Sequence, residues 1–208
     1  MTIGSGDSQN DPAGDDALVA RIAERDEAAF RLVIGQHAER LHRIAYRMVG
    51  GAHEAEDIAQ EAMLRLWDNA ARLAARTDAA PVRLGAWLKR VVINLAIDRQ
   101  RVAGRQSGGE VPERADETPL ADEQMEQEES AGRARALIAG LPDRQRAAIV
   151  LTYFEELPNA EAAEVLDMNI KAFESLLHRA RGALRRAFVA LEEHPEEHPQ
   201  EYGEERHE

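Results

Sequence analysis

Apolar side chains recur along this chain at intervals of three and four residues, and nowhere do they alternate over a run long enough for a strand. Between Asp15 and Val49 the series is Leu18, Val19 and Ile22, then Phe30, Val33, Ile34, Leu41, Ile44, Ala45 and Met48. Asp15 or Asp16 is placed to cap the first turn, and Gly50-Gly51 ends the stretch. A second helix is predicted from about Glu54 to Leu73, with Ile58, Met63, Leu66 and Trp67 inward. A third is predicted from near Pro81 to about Arg101, with Leu84, Trp87, Leu88, Val91, Leu95 and Ala96 on one stripe. The periodicity lapses between Val102 and Glu129, where Gly104, Gly108, Gly109, Pro112, Pro119 and nine acidic residues make a composition that cannot bury enough to order itself. It resumes near Ala131 with Leu137 and Ile138 and is broken by Leu141-Pro142-Asp143. A further helix then carries Ala147, Ile149, Val150 and Tyr153, and two more lie near 159–166 and 170–190. The fold class is therefore all-α: two small helical domains, 16–102 and 131–191, joined by an acidic flexible linker, 103–130. A leader, 1–15, and an acidic tail, 192–208, are expected to be disordered.

Composition narrows the possibilities. A length of 208 residues suits one medium domain or two small ones, and 44% hydrophobic residues suffice for packed cores. Aromatics at 4% favour cores of Leu, Ala, Ile and Val in helices over a β-sandwich. No apolar run approaches about 18 residues, so no membrane insertion is expected. Met1 to Asp16 has no basic segment followed by an apolar one, and so is no signal peptide. The absence of cysteine removes disulfides, thiolate chemistry and zinc-finger ligation. The simplest location is the cytoplasm.

A net charge of −13 looks hostile to nucleic acid until it is divided along the chain. Residues 1–16 carry −4, 108–130 carry −8 and 192–208 carry −7, whereas 17–107 carry +4 and 131–191 carry +2. The acidity sits in the leader, linker and tail, and both predicted domains are mildly basic. Enzymatic chemistry finds no footing. There is no Gly-rich phosphate loop, no Ser-His-Asp order in a strand context and no cysteine nucleophile, so neither a catalytic residue nor a cofactor is expected. His194, His198 and His207 imitate a metal site, but Pro195 and Pro199 break any helix that would align them.

The strongest local signal runs from Asn159 to Leu176. A helix-turn-helix needs a small residue where its helices touch, an apolar residue before the turn, a turn residue in the left-handed region, and apolar anchors beyond. Ala163, Leu166, Asp167, Met168, Phe173 and Leu176 fill these places in order. Asp167 stands where Gly is usual, and Asp tolerates positive φ better than most residues. Asn169 is a good N-cap. The second helix then presents Lys171, Glu174, Ser175, His178, Arg179 and Arg181 to solvent, with Arg185 and Arg186 extending the basic face. Such a helix fits the major groove, where Arg179 can donate to a guanine edge and Glu174 can accept from a cytosine amino group. An ordinary helical hairpin with a solvated charged face carries the same pattern.

Two further motifs lie upstream. In Glu54–Trp67, the residues Asp57, Gln60, Glu61 and Leu64 recur at three or four positions and share a helix face suited to protein docking. In Leu84–Arg101, Lys89, Arg90, Asn94, Asp98 and Arg101 lie off the apolar stripe, where a base and a phosphate can both be engaged. In this order the motifs resemble those of the extracytoplasmic-function (ECF) sigma factors of the sigma-70 family. Asp57 to Trp67 resembles region 2.2. Trp87, Leu88, Val91, Asn94, Asp98 and Arg101 resemble regions 2.3 and 2.4. Leu141-Pro142 resembles the opening of region 4.1, and Ser175 to Arg181 resembles region 4.2.

The resemblance implies a region 2 bundle and a region 4 helix-turn-helix. It implies docking of Asp57, Gln60, Glu61 and Leu64 on the clamp of the largest subunit of core RNA polymerase. It implies reading of a −10 element by Lys89, Arg90, Asn94, Asp98 and Arg101, and of a −35 element by Lys171, Glu174, Ser175, His178, Arg179 and Arg181. It further implies promoter DNA and an anti-sigma factor as partners. Glu174 stands where relatives commonly carry Lys or Arg, and Leu176 where Arg is frequent, so the −35 sequence read is in question. The tail has no counterpart in the resemblance. It reads either as a solvated, functionless segment or as one that repels phosphates from the basic face. The competing expectation is a free-standing helix-turn-helix regulator that binds duplex without polymerase, and a third is an adaptor that binds polymerase or an inhibitor without starting transcription.

Overall fold

Residues 12–75, 81–106 and 132–193 are described by the structure, a computed structural model of the chain. An N-terminal lobe comprises α1 (Pro12–Ala23), α2 (Glu27–Val49), α3 (Ala52–Ala74) and α4 (Leu84–Gln106). A C-terminal lobe comprises α5 (132–139), α6 (Asp143–Ile149) running into a π-helical turn (Val150–Phe154), α7 (Asn159–Val165) and α8 (Ile170–Glu193). No strand occurs among the described residues, and none of their helices is long and apolar enough to cross a membrane. α1 takes in the end of the expected leader, and α4 runs on into the expected linker. The rest of the leader, most of the linker and nearly all of the tail lie outside the described residues.

The stretch from Asp15 to Val49, which its apolar spacing presents as one run, is two helices. Arg25 adopts a left-handed φ of 65° and ends α1. Asp26 then turns extended, and its side chain accepts from the amides of Ala28 at 2.8 Å and Ala29 at 3.1 Å, capping α2. Arg21 also binds the Asp26 carboxylate, and these amides and this guanidinium hold its pKa below the ordinary carboxylate value. Gly50, at φ 78°, closes α2 with its amide on the Tyr46 carbonyl at 2.7 Å.

Asp15 and Asp16 do not cap α1, which opens earlier, at Pro12. They reach across to the start of α4, where Asp16 accepts from the amide of Val82 and Asp15 from that of Leu84, both at 2.8 Å. Pro81, Val82 and Arg83 offer no short oxygen side chain, so the orphan amides at this helix start are satisfied from another helix.

The N-terminal core is built from Val19, Ile22, Val33, Leu41, Ile44, Met48, Ile58, Leu66, Leu84, Leu88, Val92 and Ile93. Ile34, expected inward, is 36% exposed, because positions 33, 37, 41, 44 and 48 form the inward stripe of α2 and residue 34 falls beside it. Trp67 is half-buried, its ring 5.0 Å from that of Phe30 and beneath the guanidinium of Arg25. The C-terminal core gathers Leu141, Ala147, Leu151, Ala163, Leu166, Phe173, Leu177 and Ala180. Here the π-helical turn changes the outcome. Its extra residue shifts the register, so Tyr153, expected inward with Ile149 and Val150, is exposed together with Phe154, and Glu155 is buried instead.

Candidate functional site

The hairpin α7–α8 has the local chemistry its sequence demands. Ala163 and Leu166 are buried at the helix contact, and Asp167 takes φ 53°, the left-handed turn position. The amide of Met168 returns to the Ala163 carbonyl at 3.0 Å. Asn169 Oδ1 accepts from the amide of Ala172 at 2.9 Å and so caps α8, a contribution of about 1 kcal/mol. Phe173, Leu176 and Leu177 anchor the helix inward, which accounts for an apolar residue at Leu176. Lys171, Glu174, Ser175, His178, Arg179 and Arg181 all stand exposed on the outer side, followed by Arg185 and Arg186. Arg181 is already oriented: its Nε donates to Tyr153 Oη at 2.6 Å, and its guanidinium lies over the tyrosine ring.

On α3, Asp57 and Glu61 are half-buried while Gln60 and Leu64 project, and Leu64 is 56% exposed. Glu61 pairs with Arg65 at 3.0 Å, and Gln60 donates to Glu56 at 3.1 Å. Leu64 thus stands uncovered between Gln60 and the Glu61–Arg65 pair.

The five polar residues expected to act together on α4 are divided. Asn94, Asp98 and Arg101 are exposed. Lys89 and Arg90 are half-buried and contacted by the C-terminal lobe. Arg90 Nη2 donates to the Glu164 carbonyl at 2.9 Å and to Asp167 at 2.6 Å. Beside it, Arg83 pairs with Glu164 at 2.7 Å and with Glu161 at 3.2 Å. Arg40 on α2 binds Glu155 at 2.5 Å, a carboxylate only 3% exposed. Arg47 lies over the ring of Phe154, 4.5 Å from its centroid. The buried Arg146 of α6 donates to the Met48 carbonyl at the end of α2, and also to Ile138, Ala139 and Leu141. The seam thus sets basic side chains of the N-terminal lobe against carboxylates clustered between residues 155 and 167.

None of Arg40, Arg83, Arg146, Glu155, Glu161 and Glu164 was singled out from sequence. A signal existed in the run of acids that interrupts an otherwise basic C-terminal domain, but charge alone does not say which surface it meets.

Burial pushes the Lys89 ammonium below its ordinary pKa, and Arg40 adds to the push. Burial does the same to His37, reinforced by Lys89 and Arg40. The unfolded chain takes up a proton at His37 near pH 6.5, whereas the folded chain does so only at lower pH. Below about 6.5 the unfolded state therefore binds more protons, so His37 adds its full contribution above that pH and loses it on acidification. Urea midpoints are expected to fall between pH 7.5 and 5.5, and His37→Phe is expected to flatten that fall. An unchanged slope in the variant would place the pH dependence elsewhere.

Comparison with known proteins places these features in a lineage. Residues 33–106 match the family model described as Sigma-70 region 2, and residues 131–184 match that of Sigma-70, region 4. Over 181 residues the chain is 30% identical to the ECF RNA polymerase sigma factor SigW of Bacillus subtilis, covering 81% of this chain and 93% of that one. Among solved structures it is similar to CnrH in complex with the cytosolic domain of CnrY, with a TM-score of 0.60 and 24% identity over 85% of this chain and 98% of that one. It is also similar to the sigma factor RpoE in complex with the anti-sigma factor NepR from Bartonella quintana, with a TM-score of 0.57 and 22% identity over 77% and 96% of the two chains.

Proposed function

Because the chain belongs to the ECF RNA polymerase sigma factors of the sigma-70 family, we propose that it binds core polymerase through α3 and carries two promoter-reading surfaces to it. Asp57, Gln60, Glu61 and Leu64 meet the clamp of the largest subunit. Asn94, Asp98 and Arg101, joined by Lys89 and Arg90 once released, engage the −10 element as separated strand. A base taken out of its stack there costs a few kcal/mol, which contacts in a protein pocket must recover. Lys171, Glu174, Ser175, His178, Arg179 and Arg181 read the −35 element as duplex. The chain supplies specificity and no catalysis, and it acts in the cytoplasm.

The observation that carries this reading is the engagement of Arg90 by the C-terminal lobe, with Lys89 half-buried beside it. The arrangement described is a resting form in which carboxylates of the C-terminal lobe stand where DNA phosphates would. Two weak modules held at the right spacing by polymerase act as one tight site, whereas the closed chain alone reads little. An anti-sigma factor that favours the closed form would hold the protein silent. CnrH and RpoE, of similar fold, are each known in complex with another protein, for RpoE an anti-sigma factor. A free-standing regulator lacks a purpose for a region 2 match over residues 33–106.

Run-off transcription with purified core polymerase and a promoter library tests the proposal. Start sites that depend on this chain are expected, with duplex binding by the chain alone weak. Leu64→Ala is expected to weaken core binding roughly tenfold, about 1.4 kcal/mol. Initiation unchanged by the chain, or tight promoter binding without core, would overturn the reading.

A further inference from the structure

The seam holds a partly open cavity of about 330 Å³, within the range of about 300–1,000 Å³ typical of small-molecule sites. His37 and Arg40 of α2 face it together with Arg83 and Lys89, and Glu161 faces them from the C-terminal lobe. Arg40 is engaged by Glu155, and Arg83 by Glu161 and Glu164. Lys89 has no ion pair among the described residues, although it is half-buried. His37 is only 7% exposed, and no hydrogen bond to its ring is found among the described residues. Gly85 stands opposite: a side chain beginning there would meet only the Cε1 edge of His37, at 3.6 Å, so no bulky group fills the space before the imidazole. An ammonium without a hydrogen bond or ion pair among the described residues, attracted only at a distance by Glu155 and Glu161, and an imidazole without a hydrogen bond bear a partial desolvation cost that an anion between them would offset.

We propose that this cavity binds a small phosphate-type oxyanion, inorganic phosphate or a phosphate monoester, held by Lys89 and His37 with Arg40 and Arg83 at its margin. The cationic wall comes from the N-terminal lobe, while Leu157, Pro158 and Val165 of the C-terminal lobe close the opposite side. An occupant touching both lobes binds the closed arrangement better than an open one, and by linkage favours closure to the same extent. Such an anion is a co-inhibitor that keeps Lys89 and Arg90 from DNA. Burial, with Arg40 and Arg83 beside Lys89 and with Lys89 and Arg40 beside His37, pushes both pKa values down in the empty site against the pull of Glu155 and Glu161 on Lys89, and a bound anion pushes both back up. The site rests on the closed arrangement of the lobes, not on which promoters are read.

Calorimetric titration of the full chain at fixed ionic strength, with inorganic phosphate and separately with phenyl phosphate, tests this. Saturable one-to-one binding is expected, weakened at least tenfold by Lys89→Gln and by His37→Phe, and unaltered by Arg72→Gln on exposed α3. Circular dichroism confirms that the variants fold, and His37→Gln serves if the phenylalanine does not. No saturable binding, or equal weakening by Arg72→Gln, overturns the site. Displacement of phosphate by a short single-stranded oligonucleotide with one-to-one stoichiometry also overturns it, since the cavity would then be part of the nucleic-acid path. Run-off transcription by His37→Phe in phosphate-free buffer is expected to match the parent. Lost binding with normal initiation supports the cavity, whereas absent binding in the parent with normal initiation sinks the cavity alone.

Discussion

Phe173→Ala is expected to unfold the C-terminal lobe near room temperature while leaving the N-terminal bundle folded. Phe173 is fully buried and is among the largest side chains of that core. Removing such a ring costs about 3–5 kcal/mol, through lost burial and the cavity left behind. A helical unit of this small size rarely holds more than about 3–5 kcal/mol in total. Little remains to oppose chain entropy, and the seam bonds from Glu155 and Asp167 cannot persist without the helices that aim them. Phe173→Leu, which keeps most of the volume, should cost far less and serves as the control. Thermal melts followed by circular dichroism should show loss of a fraction of the helical signal at low temperature, and run-off transcription from −35-dependent promoters should disappear. A cooperative melt within a few degrees of the parent would show that the core tolerates the void and would refute the expectation.

Arg83→Glu combined with Arg90→Glu is expected to open the seam. Together these two guanidiniums bind Glu161, Glu164, Asp167 and the Glu164 carbonyl, and reversal turns each attraction into repulsion. Each pair is partly exposed and contributes only about 0.2–1 kcal/mol by itself. The set acts on one equilibrium, however, so a shift of tenfold or more toward separated lobes follows. A distance reporter between α3 and α8 should lengthen in the double variant at low salt, and the parent should approach the same distance as salt screens the pairs. Restoring opposite charge by Glu164→Arg with Asp167→Arg should bring the lobes back together. If the reversed chain stays closed, the apolar and carbonyl contacts of Arg47 and Arg146 hold the seam instead.

Much of the architecture was legible because local physics decided it. The helical spacing of Ile58 with Leu66, and of Leu84 with Leu88, needed only a core on one side. The turn at Asp167 and the cap at Asn169 are set by residues within a few positions of each other. What failed was what depends on distant partners or on one inserted residue. Asp15 and Asp16 satisfy amides nearly seventy positions away, and nothing in their own neighbourhood says so. Tyr153 moved outward because one π-helical turn changes the angular count, an effect invisible to a search at fixed period. Lys89 and Arg90 were correctly read as lying off the apolar stripe, yet a polar face can be claimed by another lobe as readily as by DNA. The exposed set on α8 was legible for the opposite reason: its inward anchors, Phe173 and Leu177, fix which side faces water, whatever lies beyond.

Asp167 is asked to do two things that pull in different directions. At φ 53° a glycine would sit more comfortably and firm up the hairpin, yet glycine would take away the carboxylate that holds Arg90. On the proposed closed resting form, robustness of the module and silence of the molecule are therefore opposed at a single codon. Selection for heat resistance alone would drift toward glycine there, and the survivors would be sturdier proteins that have become harder to switch off.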